Sequence, residues 1–300
     1  MPDTPSWTPF GRVLTAMATP MTPDGAMDEG GVRALARHLA DTGHDGIVVN
    51  GTTGESATLT DDESIEAVRL VAEEVGDRVA VVAGVGSNST AHSLEMTERA
   101  TAVGASALLL VSPYYNKPTQ AGLIAHCRAV ADSTELPIML YDIPGRTGIP
   151  FATETLVELA GHPQIQAVKD AKGDLAASIR VMAATDYLWY SGEDALNLPL
   201  LALGAVGVVS VVGHVTGRRH AELIAAVDAG DLARAREIQD SLIPVVDAIM
   251  STSQGAIMAK AALVELGVIE HATVRLPLVE GPEEHLEILR RGLAASGVTA

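Results

Sequence analysis

Residues 107–112 read Ala-Leu-Leu-Leu-Val-Ser, an aliphatic run of strand length that lies between two segments of helical periodicity, 90–103 and 119–133. Its apolar residues are consecutive rather than alternating, which is typical of a parallel strand that is buried on both faces. A strand with a helix on each side along the chain is the repeating unit of α/β folds. The stretch therefore predicts an α/β protein.

The same pattern occurs seven more times along the chain. The other aliphatic runs are 13–19, 46–50, 78–84, 137–141, 165–169, 187–191 and 206–211. Eight strands, each followed by a helix-length segment, predict a (β/α)8 TIM barrel. A doubly wound sheet is the alternative, although such sheets usually have fewer strands. Asp61, Thr90 and Thr119 are the predicted N-caps of three of the helices.

Three more helical patterns, 232–249, 255–266 and 283–295, follow the last predicted strand. No Pro/Ser linker separates them from the barrel. We therefore predict a barrel with a short N-terminal arm over residues 1–230, and a C-terminal helical extension packed on it over residues 231–300. Residues 1–10 contain three prolines and little periodicity, which indicates a loose arm.

The composition restricts the possible partners and the cellular location. A net charge of −18 disfavours nucleic acid and anionic membranes as partners. No apolar run approaches the roughly 18 residues that span a bilayer, and the N-terminus does not resemble a signal peptide. We therefore expect a cytoplasmic protein.

Cys127 is the only cysteine, so no intrachain disulfide can form, and we expect its thiol to pack in a helix.

Lys169 ends the sixth aliphatic run and is one of only four lysines, with Lys117, Lys172 and Lys260. In a barrel, catalytic groups lie at the carboxyl ends of the strands. Burial there favours the neutral amine, which is a nucleophile for carbonyl carbon. The alternative is a structural lysine whose ammonium group extends to the surface.

Other strand ends carry groups suited to binding anions. The second run ends in residues 50–56, NGTTGES, where glycines admit close approach and Thr52, Thr53 and backbone amides can hold a carboxylate. The alternative is an ordinary polar turn; the missing Gly-Lys-Ser/Thr ending argues against a nucleotide site. Tyr115 and Tyr141 follow the fourth and fifth runs, and each is also consistent with a rim aromatic. Arg146 is either a surface arginine or a guanidinium that binds a carboxylate.

No metal site is expected, since the nine histidines show neither HxH nor HExxH spacing. His214 and His220 are expected to be surface or core residues.

Five motifs together resemble the dihydrodipicolinate synthase family, in the pyruvate-dependent class I aldolase superfamily. They are GTTGES (51–56), PYY (113–115), YDIPGRTG (141–148), VKDA (168–171) and SGED (191–194). The resemblance extends from residue 13 to about residue 293. It implies a (β/α)8 barrel with a C-terminal helical extension. It also implies condensation of pyruvate with L-aspartate-4-semialdehyde on the route to diaminopimelate and lysine.

By this resemblance Lys169 forms an imine with pyruvate, so no separate cofactor is required. Tyr141, Thr52 and Tyr115 would relay protons, with Tyr115 reaching the site of a neighbouring subunit. The resemblance further implies a substrate pocket and a homotetramer built as a dimer of dimers. In that pocket Thr53 would hold the pyruvate carboxylate, Arg146 the carboxylate of the aldehyde, and Gly192 and the Val209 carbonyl would lie beside Lys169.

The chain departs from the family pattern at several positions. Glu193 stands where many members have Asp, and Lys172 stands in a turn where Thr is common and is predicted to be solvated. Asp61, Ser64 and His92 occupy positions that hold paired His and Glu residues in members inhibited by lysine. We therefore predict weak or absent inhibition by lysine.

Two alternatives remain at this point. One is a related aldolase for 2-keto-3-deoxy sugar acids or N-acetylneuraminate, although Arg146 favours a short acidic aldehyde over a polyol. The other is a catalytically silent barrel that binds a keto acid without forming an imine.

Overall fold

The computed structural model describes residues 9–299 of the chain. Eight parallel strands pair in sequence order, and the first pairs with the last to close a barrel. The strands are β1 (Val13–Ala16), β2 (Gly46–Val49), β3 (Ala80–Gly84), β4 (Ala107–Val111), β5 (Ile138–Asp142), β6 (Ile165–Asp170), β7 (Leu188–Ser191) and β8 (Gly207–Ser210). This topology confirms the predicted TIM barrel and excludes the doubly wound sheet.

Helices follow the strands and cover the barrel. They are α1 (Glu29–Asp41), α2 (Asp61–Val75), α3 (Thr90–Ala102), α4 (Gln120–Asp132), α5 (Pro144–Thr147), α6 (Thr153–Leu159), α7 (Leu175–Ala184), α8 (Asn197–Ala202), α9 (Gly213–Asp228), α10 (Leu232–Val246), α11 (Gly255–Glu265) and α12 (Glu283–Ala295). The first strand is shorter than the predicted 13–19. Its continuation leaves the sheet, and the Thr19 hydroxyl donates instead to the Gly54 carbonyl at 2.7 Å.

Two of the three predicted N-caps were wrong by one residue. Thr60 caps α2 in a reciprocal capping box with Glu63, and Ser89 caps α3. Asp61 and Thr90 are instead the first helical residues. Thr119 caps α4 as predicted, accepting a hydrogen bond from the Gly122 amide. At the two wrong positions a second polar residue that could also cap stands next to the true cap, so residue preference alone does not choose between them.

Alternate strand residues build two apolar layers. One set faces into the barrel and includes Leu14, Val48, Met139 and Tyr190. The other set, which includes Leu108 and Val168, packs against apolar residues of the surrounding helices, among them Cys127, which is buried in α4 as predicted. Phe10 closes the bottom of the barrel, where its ring meets that of Tyr190 edge-on at 6.2 Å between centroids. The predicted loose arm is therefore wrong at Phe10, and residues 1–8 lie outside the described part of the chain.

The C-terminal helices share buried apolar side chains with the helical layer of the barrel, including Ile238, Leu263 and Leu289. The predicted helix 232–249 is α-helical only to Val246 and continues as a π-turn over Asp247–Ser251. Pro244 lies in its last turn and lacks the amide that would continue the regular hydrogen bonds. Within residues 9–299 no helix is both long and apolar enough to cross a membrane.

Candidate active site

Lys169 lies near the carboxyl end of β6, in register with Tyr141 on β5 and Tyr190 on β7. Its side chain is buried, with 3% of the residue exposed. Burial lowers the pKa of the amine to about 8, and the nearby Arg146 charge acts in the same direction while Asp194 opposes it. A buried lysine at a strand end is therefore partly neutral near physiological pH, as a nucleophile must be.

Tyr141 covers this amine. The Lys169 Nζ lies 4.1 Å from the centroid of the Tyr141 ring. Burial raises the pKa of the phenol to about 12, against the opposing effects of the Arg146 charge and of the nearby Thr52 side chain. The phenol thus stays protonated at neutral pH, and Thr52 lines the same cavity. This arrangement brings together three of the four residues predicted to be catalytic.

Thr52 and Thr53 belong to a single 3₁₀ turn, Thr52–Gly54, that directly follows β2. Non-glycine residues with left-handed backbone flank this turn, namely Asn50 at φ 60° and Glu55 at φ 57°. Such backbone is held only where surrounding contacts enforce it. The turn lies at the same end of the barrel as Lys169, where Thr52 lines the cavity described below, whereas Thr53 is buried and is not among the lining residues.

Charged groups surround the amine unequally. Arg146, in the short helix α5, lines the cavity described below. Asp194 is fully enclosed and accepts hydrogen bonds from the Ser210 hydroxyl and from the amides of Val211 and Val212 at 2.9 and 3.1 Å. Burial alone would raise the pKa of Asp194, but the His220 side chain, whose Nε2 lies 3.5 Å away, and these hydrogen bonds outweigh it and lower the pKa to about 2. Glu193 is half-buried, and its burial beside Asp194 raises its pKa.

Gly192 lies against the nucleophile. A Cβ atom at this position would stand 2.9 Å from Lys169 Cγ and 3.1 Å from Cε, so a larger residue would displace the lysine side chain. Val209 faces the barrel interior on β8, beside Leu14 on β1. The predicted approach of its carbonyl to Lys169 stays a prediction.

A cavity of about 390 Å³ opens at this end of the barrel. Its lining includes Thr52, Tyr141, Arg146 and Tyr114 but not Lys169, whose amine lies against the ring of Tyr141. Tyr115 is not brought to the cavity. Its side chain is 89% exposed on left-handed backbone of φ 74°. One chain alone therefore does not assemble the predicted relay.

Other predicted placements are resolved as follows. Lys172 is half-buried rather than solvated, because its Nζ approaches the Phe151 carbonyl at 3.4 Å. His214 and His220 are both core residues with no exposed surface. Among residues 9–299 no group of three or more His, Cys, Asp or Glu is placed to hold a metal ion.

Sequence reasoning missed a buried charge cluster beside the Thr52 turn. Lys260 of α11 is fully buried and donates to Glu55 at 2.5 Å. The pair is separated by 205 residues, so no local pattern links its members. A signal did exist for one of them, because Lys260 is a lone charge in the otherwise apolar stretch from Ala256 to Val264.

Comparison with known proteins agrees with this geometry. The Dihydrodipicolinate synthetase family matches residues 9–296. A protein of Kineococcus radiotolerans named 4-hydroxy-tetrahydrodipicolinate synthase is 54% identical over 97% of this chain and 94% of its own. The 4-hydroxy-tetrahydrodipicolinate synthase 2 of Streptomyces coelicolor is also 54% identical, over 99% of each chain.

A solved structure adds to these matches. The crystal structure of the dihydrodipicolinate synthase of Cyanidioschyzon merolae with lysine bound superposes with a TM-score of 0.94, at 44% identity over 97% of this chain and 99% of that one. Fold and relatives together define a class I aldolase-type lyase, here a barrel with a buried lysine at the carboxyl end of its sixth strand. Within that class the chain belongs to the dihydrodipicolinate synthetase family.

Proposed function

We propose that this protein joins pyruvate to L-aspartate-4-semialdehyde and so forms 4-hydroxy-tetrahydrodipicolinate, the product in the names of its relatives. The observation that carries the proposal is the buried Lys169 amine, with its lowered pKa, under the ring of Tyr141. Such an amine attacks a ketone without a separate cofactor.

The reaction follows from the chemistry of the imine. The neutral Lys169 amine attacks C2 of pyruvate and water leaves, which gives a protonated imine. That imine withdraws electrons, so a methyl proton departs and an enamine forms. The enamine carbon attacks the aldehyde carbon and makes the new carbon–carbon bond. The amino group of the added unit then attacks C2, which closes the ring and releases Lys169.

Proton transfers in these steps are proposed for Tyr141, Thr52 and Tyr115. The position of Thr52 and Tyr141 in the lining of one cavity supports this role, since a phenol and a hydroxyl that approach each other can pass a proton without a charged base. Thr53 is proposed to hold the pyruvate carboxylate, and Arg146 the carboxylate of the aldehyde. Gly192 and the Val209 carbonyl are proposed to border the bound substrate beside Lys169.

The exposed Tyr115 supports an oligomer, proposed here as a homotetramer made of two dimers. An exposed aromatic ring on left-handed backbone that does not line its own cavity is suited to enter a neighbouring subunit. Mixing inactive Lys169→Ala and Tyr115→Phe subunits tests this. Activity that recovers in the hybrid supports a shared site, whereas no recovery on reassociation contradicts it.

We further propose a cytoplasmic enzyme without nucleic-acid or membrane partners, supported by the net charge of −18.

Initial rates with pyruvate and a series of aldehydes test the proposed substrate. We expect kcat/KM to be at least about 100-fold higher for L-aspartate-4-semialdehyde than for glyceraldehyde or N-acetylmannosamine, because only the first offers a short carboxylate to Arg146. A preference for either sugar-type aldehyde would instead indicate a sugar-acid or N-acetylneuraminate aldolase. Saturable pyruvate binding without turnover of any aldehyde would indicate a silent keto-acid-binding barrel.

A further inference from the structure

The C-terminal extension forms hydrogen bonds with Glu55, the residue that follows the 3₁₀ turn Thr52–Gly54. Glu55 is buried, and both of its carboxylate oxygens accept hydrogen bonds from the extension. Lys260 Nζ donates to Oε1 at 2.5 Å, and the Arg275 backbone amide donates to Oε2 at 2.9 Å. The left-handed backbone of Glu55, at φ 57°, is thereby fixed from outside its own loop.

Lys260 has no exposed surface on α11. It makes a second hydrogen bond to the Thr273 carbonyl at 2.7 Å. A buried charge is costly unless it is paired and hydrogen-bonded, and Glu55 supplies the opposite charge. The pair therefore joins the extension to the barrel at one defined point.

Arg275 extends the same connection towards the cavity. Its guanidinium donates to the carbonyls of Gly25 and Thr58, each at 2.8 Å, and pairs with the Glu63 carboxylate. Pro277 and Leu278, which follow it in the chain, line the cavity. The segment held by these bonds thus forms part of the wall of the cavity.

We propose that Glu55 and Lys260 are positioning residues: the extension, acting through Glu55, holds the turn that carries Thr52 in place beside Tyr141, with which Thr52 lines the same cavity. This inference rests on the proposed function, because it makes the rate of imine formation depend on the position of Thr52 beside Tyr141. Displacement of a reacting group by about 1 Å costs on the order of 100-fold in rate. The pair thus serves proton transfer in addition to joining the extension to the barrel.

The test uses Lys260→Met and Glu55→Gln in the full-length protein, with Lys260→Arg as the conservative variant. Pyruvate is added, the imine is trapped with borohydride at timed intervals, and thermal unfolding is recorded. We expect imine formation to slow by about 100-fold in the first two variants. The final yield of adduct on Lys169 should stay complete, and Lys260→Arg should recover most of the rate. The matched control is Arg290→Met, which breaks ion pairs with Glu265 and Glu283 inside the extension, and its rate should equal that of the wild type.

Wild-type trapping rates in a folded Glu55→Gln variant would overturn the inference, whatever the change in thermal stability. If Lys260→Met does not fold because Glu55 is left without its partner, the double variant Glu55→Gln/Lys260→Met removes both charges. A wild-type rate in that variant would also overturn it. No adduct in the wild-type protein would instead contradict the proposed function, so the two failures are distinguishable.

Discussion

The dependence of kcat/KM for pyruvate on pH should report the Lys169 amine. Its pKa of about 8 leaves about 9% of the amine neutral at pH 7, against about 0.03% for a free lysine. The surroundings of Lys169, with burial as the largest contribution, therefore increase the neutral amine at pH 7 by on the order of 300-fold. Because the neutral form attacks pyruvate, kcat/KM should rise about tenfold per pH unit below pH 8 and level off above it.

Initial rates at saturating aldehyde, from pH 6 to pH 10 at constant ionic strength, measure this rising limb of the pH profile of kcat/KM. In a ping-pong reaction, kcat/KM for pyruvate reports the free enzyme and not the second substrate. Glu193→Gln should move the limb to lower pH, because the Glu193 charge favours the ammonium form of Lys169. Glu154→Gln removes the same charge from an exposed site and should leave the limb in place. A rate that still rises tenfold per unit at pH 9.5 would refute the reasoning.

The remaining predictions concern single residues and one inhibitor. Tyr141→Phe should lower kcat by about 100-fold or more with little change in the KM for pyruvate, and a wild-type kcat would contradict its relay role. Arg146→Met should raise the KM of the aldehyde by about 10- to 100-fold but not that of pyruvate; equal effects on both would argue against the assigned carboxylate contact. L-Lysine at micromolar concentration should leave initial rates unchanged, because His92 and Asp61 bond each other at 3.0 Å; half-maximal inhibition in that range would refute this. Phe10→Ala should lower the free energy of unfolding by about 3–5 kcal/mol in urea titration, whereas a loss below about 1 kcal/mol would contradict its role in closing the barrel.

The barrel could be predicted because each strand is a continuous aliphatic run in the sequence. The site could be predicted because reactive residues follow those runs. Lys169 was identifiable on both grounds. Contacts between distant parts of the chain carry no such local signal. The ring of Phe10 contacts that of Tyr190, which lies far along the chain. Glu55 and Lys260 pair although 205 residues separate them. Neither contact could be anticipated from sequence spacing.

The role of Tyr115 could not be predicted from one chain for a different reason. Its place in the fourth strand-end motif could be read from the sequence, and the structure leaves its ring exposed on a single chain. Whether it completes a relay depends on a second subunit, which no pattern within one chain encodes. Helix starts were uncertain for a more local reason, because Thr60 and Asp61 are both favourable caps and only the capping box with Glu63 selects the first.

The central claim is that Lys169 is the residue that binds pyruvate covalently. Borohydride reduction in the presence of pyruvate, followed by peptide mass mapping, tests it most directly. We predict one reduced pyruvate adduct on Lys169 that is absent from Lys169→Ala. An adduct on Lys172 or Lys260, or pyruvate binding with no adduct at all, would contradict the account.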